Sequence, residues 1–190
     1  MFFSEEPLSS TPMDPKRDGI TLLPDPVWTD RYDTERARVE AASDSRLLDV
    51  VHVGSTAIPG VPGKPVLDVM PIYDQYDGAR TAADRLVDEG FTLEHDDDDT
   101  VVLVRRDDDH VVAVRMHTVD AEQWRPILLF RNYLTDHPDA RAEYARVKRE
   151  AVDAHADDME AYTDAKFEVV RSLTDRAREA GYAERLPEFA

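Results

Sequence analysis

The chain has 190 residues, 42% of them hydrophobic, enough for one domain with a real core and a smaller appended unit. It contains no cysteine, which excludes disulfides, thiolate metal sites and cysteine nucleophiles. Its 41 acidic and 23 basic side chains give a formal charge of −18, a field that repels nucleic-acid backbones.

No run approaches the ~20 apolar residues of a membrane span. The opening Met1-Phe2-Phe3 leads into Ser4, Glu5 and Glu6, which does not read as a signal peptide, so a cytoplasmic protein is expected. The acids are dispersed and most are Asp, the pattern of a solvated surface adapted to high salt.

In chain order, residues 1–18 carry Pro7, Pro12 and Pro15 among Ser and acidic residues without apolar periodicity, and predict a flexible N-terminal arm. Ile20–Leu23 predicts a short strand stopped by Pro24-Asp25-Pro26. Trp28, Tyr32, Ala37 and Val39 recur at helical intervals up to about Ser43. The run LLDVVHV, Leu47–Val53, predicts a buried strand that ends on Gly54-Ser55-Thr56. A loop with Pro59, Gly60, Pro62 and Gly63 leads to a second strand, PVLDVMPIY, in which Val66, Asp68 and Met70 share one face.

Asp77–Glu89 predicts a helix with Gly90 at its end. Phe91–Glu94, Val101–Arg105 and Val111–Val119 predict strands, with Asp107-Asp108-Asp109 turning the last hairpin. Beyond Val119 the spacing is helical, over about 121–135, 138–154 and 158–180, with Gly181 as the stop. The organisation expected is α+β: a sheet domain over 19–120 and a C-terminal helical subdomain over 121–190.

Several motif look-alikes fail. Gly60–Pro65 has the Gly-Lys pair of a phosphate loop but Ile58 where the first Gly belongs and Pro65 where Ser or Thr belongs. Gly54-Ser55-Thr56 lacks the flanking glycines of a nucleophile elbow. The runs Asp96–Asp99 and Asp107–Asp109 lack the Gly and terminal Glu of an EF-hand loop and read as solvated turns.

The segment that carries chemistry is the end of the first strand. Gly54 lets an anion approach the main chain, Ser55 adds a hydroxyl, and the following turn forms an anion-binding nest. Asp68, on the next strand, is placed to hold Mg²⁺ or another divalent cation bridging to a phosphate. Read alone, the same residues also suit a tight turn beside a salt-bridged Asp. His52 suits a structural imidazole as well as a site residue.

The longer string VHVGSTAIPGVPGKPVLDV, Val51–Val69, resembles the defining segment of the GrpB family. The resemblance extends to DPVWTDRY (Asp25–Tyr32), FRNYLTDHPDARAEYARVKRE (Phe130–Glu150) and AYTDAKFEVV (Ala161–Val170). It implies a nucleotidyltransferase-like mixed sheet with flanking helices and C-terminal helices, and brings no settled reaction. On that scaffold Gly54 and Ser55 would cradle phosphates, Asp68 would hold the metal, and Asp68 with His117 would be the catalytic pair. Lys64, Arg115, Arg131 and Lys166 would balance phosphate charge.

The chain departs from the active-enzyme pattern in two places. Asp68-Val69-Met70 lacks the second carboxylate of an Asp-x-Asp or Asp-x-Glu pair, and Arg115-Met116-His117 stands where the family often carries His-x-His. Two readings stay open: a metal-dependent nucleotidyltransferase, or a non-catalytic binder of a nucleotide or phosphorylated small molecule with a regulatory or scaffolding role.

Overall fold

The computed structural model describes residues 27–189, so the arm expected at 1–18 and the short strand at Ile20–Leu23 lie outside the described residues. Helix α1 (Trp28–Ala42) precedes strand β1 (Leu47–Val53), and a 3₁₀ turn at Ser55–Ala57 opens the loop to β2 (Val66–Tyr73). Helix α2 (Tyr76–Asp88) and strands β3 (Thr92–Asp96), β4 (Thr100–Arg106) and β5 (Val111–Thr118) follow. Helices α3 (Trp124–Asp136), α4 (Pro138–His155) and α5 (Met159–Glu179) end the chain with a 3₁₀ turn at Tyr182–Arg185. Among the described residues no helix is long and apolar enough to cross a membrane.

The sheet runs in the order β1-β2-β5-β4-β3. Only β2 and β5 are parallel; α2 and the β3–β4 hairpin make the crossover between them, and every other pair is antiparallel. Strand alternation assigns the two faces. Leu67, Val69 and Tyr73 of β2 join Val112, Val114 and Met116 of β5 in the core beneath α1 and α2. Met70 and Ile72, with Val51 and Val53, turn the other way onto Trp124 and Leu128 of α3. Each such fully buried aliphatic side chain contributes about 1.5–3 kcal/mol. Asp68, between Leu67 and Val69, therefore falls on the α3 side, and Arg115, between Val114 and Met116, falls there too.

Strand β1 is a sheet edge whose free carbonyls are covered by side chains. Val50 O accepts from the Tyr32 hydroxyl at 2.6 Å and His52 O from Arg131 Nη1 at 2.9 Å. Covering an edge in this way removes a template for pairing with other chains. A second tie joins α1 to the far hairpin: Arg105 makes a two-pronged bond to buried Glu35, at 2.8 and 3.0 Å.

The expected turn at Asp107–Asp109 is present, but its carboxylates are not simply solvated. Asp107 pairs with Arg105 at 2.9 Å and Asp109 with Arg31 at 2.6 Å, and these bonds hold both carboxyls below their ordinary range. In the other run Asp97 Oδ1 accepts from the N–H groups of Asp99 and Thr100, so it shapes the turn it occupies.

The three C-terminal helices share their own core, built on Leu129, Tyr133, Leu134, Tyr144, Leu173 and Ala177. Ile58 and Val61 from the β1–β2 loop insert into it. That insertion brings the loop after Gly54 against α4 and α5, and the site lies at this junction. Gly181, with φ +77°, supplies the left-handed cap after α5.

Candidate functional site

Gly54 has φ +74°, a conformation in which an ordinary side chain is strained, and a Cβ there would collide with the Asp68 carboxylate. The glycine thus does two things at once: it turns the chain out of β1 and lets the Asp68 side chain lie against the main chain. Antiparallel pairing sets Val53 opposite Asp68, so Asp68 is aligned with the last residue of β1. Ser55 begins the 3₁₀ turn, and its hydroxyl lies 3.4 Å from that of Tyr144 on α4. Arg115, from β5, forms an ion pair with Asp68 through Nη1.

A small cavity of about 40 Å³ opens beside this pair, lined by Ser55, Thr56, Lys64, Val66, Asp68, Lys148, Tyr162 and Lys166. Three lysines from three segments therefore meet around one carboxylate. Lys148 is 1% exposed and donates to the carbonyl of Pro62, which ties α4 to the loop. Lys166 Nζ stands 3.7 Å over the Tyr162 ring, and Lys64 Nζ is 5.2 Å from the same ring. Among the described residues neither Lys148 nor Lys166 has a carboxylate within ion-pairing distance.

Crowding and burial weaken these amines as bases. Lys148 is pushed down to about 7, first by burial and then by the charges of Lys166 and Lys64. Lys166 is pushed down to about 8 by burial and by Lys64. Lys64 is lowered by burial, which outweighs the opposing pull of Asp68. Such a cluster of mutually repelling cations makes the local potential positive in an otherwise acidic protein.

The structure brings together Gly54, Ser55, Lys64, Asp68, Arg115 and Lys166 from the residues expected for the site. It leaves two aside. His117 pairs in register with Ile72, four residues beyond Asp68 along β2, and does not line the cavity. Its Nδ1 is 3.2 Å from the Thr100 hydroxyl, its Nε2 is buried without a partner, and burial lowers its pKa. Arg131 spends its donors on the His52 carbonyl and on Asn132 Oδ1, and braces α3 to β1 instead of facing the cavity. His52 is likewise on the far side of β1, stacked on Tyr32 at 4.8 Å with Nε2 3.0 Å from the Thr56 hydroxyl.

The metal expected at Asp68 does not suit the donors present. Among the described residues no three His, Cys, Asp or Glu side chains cluster to hold an ion. Met70, where a second carboxylate would stand, is fully buried in the core. The carboxylate that remains is already paired with Arg115.

Sequence alone did not single out Lys148 or assign Tyr162 a part in the site. Both occupy the inward stripe of their helix, and a lysine on an apolar stripe was the available signal.

The same architecture occurs in a solved structure of conserved protein GrpB from Enterococcus faecalis, with a TM-score of 0.75, 22% identity and coverage of 86% of this chain and 99% of that one. A UPF0157 protein of Pseudomonas aeruginosa is 30% identical over 183 residues, which is 88% of this chain and 76% of the relative. A dephospho-CoA kinase of Mycolicibacterium paratuberculosis is 32% identical over 184 residues, covering 81% of this chain but only 44% of the kinase. The family described as GrpB protein matches residues 20–176, which include the Gly54 turn, Asp68 and all three lysines. The chain belongs to the GrpB family.

Proposed function

We propose that the protein binds the phosphate end of a nucleotide or other phosphorylated small molecule on a nucleotidyltransferase-like scaffold, and acts as a binder, not a transferase. The observation that carries this reading is the meeting of Lys64, Lys148 and Lys166 with Ser55 in one cavity of a protein whose formal charge is −18. Phosphate oxygens would offset the mutual repulsion of the amines, and the Ser55 hydroxyl would donate to them. Two dephospho-CoA kinases contain a stretch similar to this chain over 44% and 42% of their length, which adds CoA-type nucleotides to the ligands worth testing. Transfer chemistry by two metal ions needs several carboxylates, and among the described residues lining the cavity Asp68 is the only one.

The test is a thermal-shift series with ATP, UTP, ADP, CoA, dephospho-CoA and inorganic phosphate. A ligand at 100 times its Kd stabilises by about 2.7 kcal/mol, or about 5–10 °C for a chain of this size. The shift should disappear in Lys166→Met, and pyrophosphate release from ATP or UTP should stay at background. A panel without a single shift would remove the phosphate-binding reading, and metal-dependent turnover would restore the transferase.

A further inference from the structure

Tyr162 is completely buried, yet its hydroxyl has no hydrogen-bond partner. Buried polar groups are rarely left so, because each lost bond to water is uncompensated. The residue lines the same cavity as the lysines. Its ring already lies under Lys166 and near Lys64, so an acceptor brought to those amines lies against the Tyr162 side chain. The orphan donor and Lys166, which among the described residues has no carboxylate within ion-pairing distance, ask for the same thing, an oxyanion.

They do not ask for a metal. A divalent ion at Asp68 would have one carboxylate, already engaged by Arg115, and would face Lys64, Lys148 and Lys166 across the same cavity. Mg²⁺ also keeps several waters in near-octahedral array.

We propose that the cavity takes the terminal phosphate of its ligand as a metal-free dianion, with the lysine cluster and Arg115 in place of a divalent cation and the Tyr162 hydroxyl as a direct donor. This rests on the phosphate-binding reading above and specifies the ionic form that is bound. Mg²⁺ then competes with the protein for the terminal phosphate instead of bridging the two.

Isothermal titration of the full chain with ATP, ADP and inorganic phosphate, in EDTA and in millimolar Mg²⁺, tests this. Binding should persist in EDTA, and Mg²⁺ should leave the nucleotide affinity unchanged or weaken it. Affinity that rises more than about threefold with Mg²⁺, or binding that appears only with the metal, overturns the inference and leaves phosphate binding intact. No binding by any of the three probes under either condition removes the phosphate-binding reading itself, and this inference with it.

Tyr162→Phe supplies the second arm. It should weaken binding about tenfold, the effect of losing a hydrogen bond to a charged group. The melting temperature without ligand should stay level or rise, because an unpaired buried hydroxyl has been removed. Unchanged affinity in Tyr162→Phe overturns the donor role. A fall in unliganded stability assigns the hydroxyl to the fold and overturns it equally.

Discussion

Lys148→Met should make the protein more stable and worse at binding anions, and the size of the gain follows from the burial of one amine. A lysine in the unfolded chain titrates near ~10.4, whereas Lys148 in the fold titrates at about 7. At pH 7 the fold therefore pays about 4 kcal/mol relative to a side chain that carries no proton. Methionine of similar length removes that penalty. It also removes the bond to the Pro62 carbonyl, which as a charge-assisted contact contributes about 1.5–3 kcal/mol. The net expectation is a gain of about 2 kcal/mol, or about 4–8 °C in Tm.

The pH dependence gives the sign. Because the folded value is depressed, the contribution of Lys148 to stability is greatest above the unfolded pKa and is lost as pH falls towards 7. Urea unfolding of wild type and Lys148→Met at pH 7 and pH 10 measures the effect, together with the relief of Lys64 and Lys166 from the Lys148 charge. At pH 10 the folded amine is neutral, the penalty is below about 1 kcal/mol and the bond to Pro62 contributes about 0.5–1.5 kcal/mol, so the variant's advantage should vanish. A variant that is weaker at both pH values would refute the reasoning. Lys148 would then be a structural rivet for the loop, and its place in an anion site would need another basis. With the stability order as expected, phosphate affinity should fall at least about tenfold in the variant, since a buried charged contact to the ligand is lost.

Gly54→Ala should destabilise by about 1–3 kcal/mol, since it combines a strained positive φ with a collision against Asp68, and should abolish ligand-induced shifts. Urea midpoints measure the first effect; a loss below about 0.5 kcal/mol would show that the turn relaxes freely. Glu35→Ala strands the guanidinium of Arg105 with Asp107 alone and should lower stability by about 3 kcal/mol without touching phosphate affinity. Equal stability of that variant and wild type would mean the α1–β4 tie is dispensable.

The sheet was legible because its strands are short apolar, β-branched runs that end on turn residues. Leu47–Val53 was read to the residue, and β2 starts one place later than expected, at Val66. The misreadings have local causes. Phe91 is buried and apolar, which suggests a strand, but its N–H bonds back to Leu86 and closes α2, so β3 starts at Thr92. Strand β3 itself is exposed along its length and is held by its pairing to β4, a cue that hydropathy does not carry. Helix α3 begins at Trp124, not Ala121, because the Ala121 N–H is taken by Thr118 in a turn.

The site was legible where it is written in consecutive residues and illegible where tertiary packing writes it. Gly54 and Ser55 directly follow β1 and Asp68 lies on β2, the next strand, so chain order alone placed them together. Lys148 sits on the stripe Ala140, Tyr144, Ala145, Lys148 and Ala151 that faces the rest of the protein. In a helix this rich in charge, a lysine reads as solvated until the stripe is drawn. Arg131 and His117 lie in matched or suggestive segments, but the His52 carbonyl and Asn132 take the donors of Arg131, and His117 sits four residues along β2 from Asp68 with Nδ1 against Thr100.

One conflict between composition and site resolves on length scales. A formal charge of −18 argues against anionic partners, yet the cavity is cationic. At physiological salt, fields from exposed charges fade over about 8 Å. The acidic surface therefore acts on whatever approaches broadly, such as a nucleic-acid backbone that must lie along it. Inside the cavity Lys148 and Tyr162 are shielded from solvent, and the nearest charges dominate. A small phosphate end that can enter meets mainly those cations, while a long polyanion meets mainly the carboxylates. On the phosphate-binding reading the two signs of charge would act as one selectivity device, in which the surface excludes long polyanions and the cavity accepts a small phosphate end by charge.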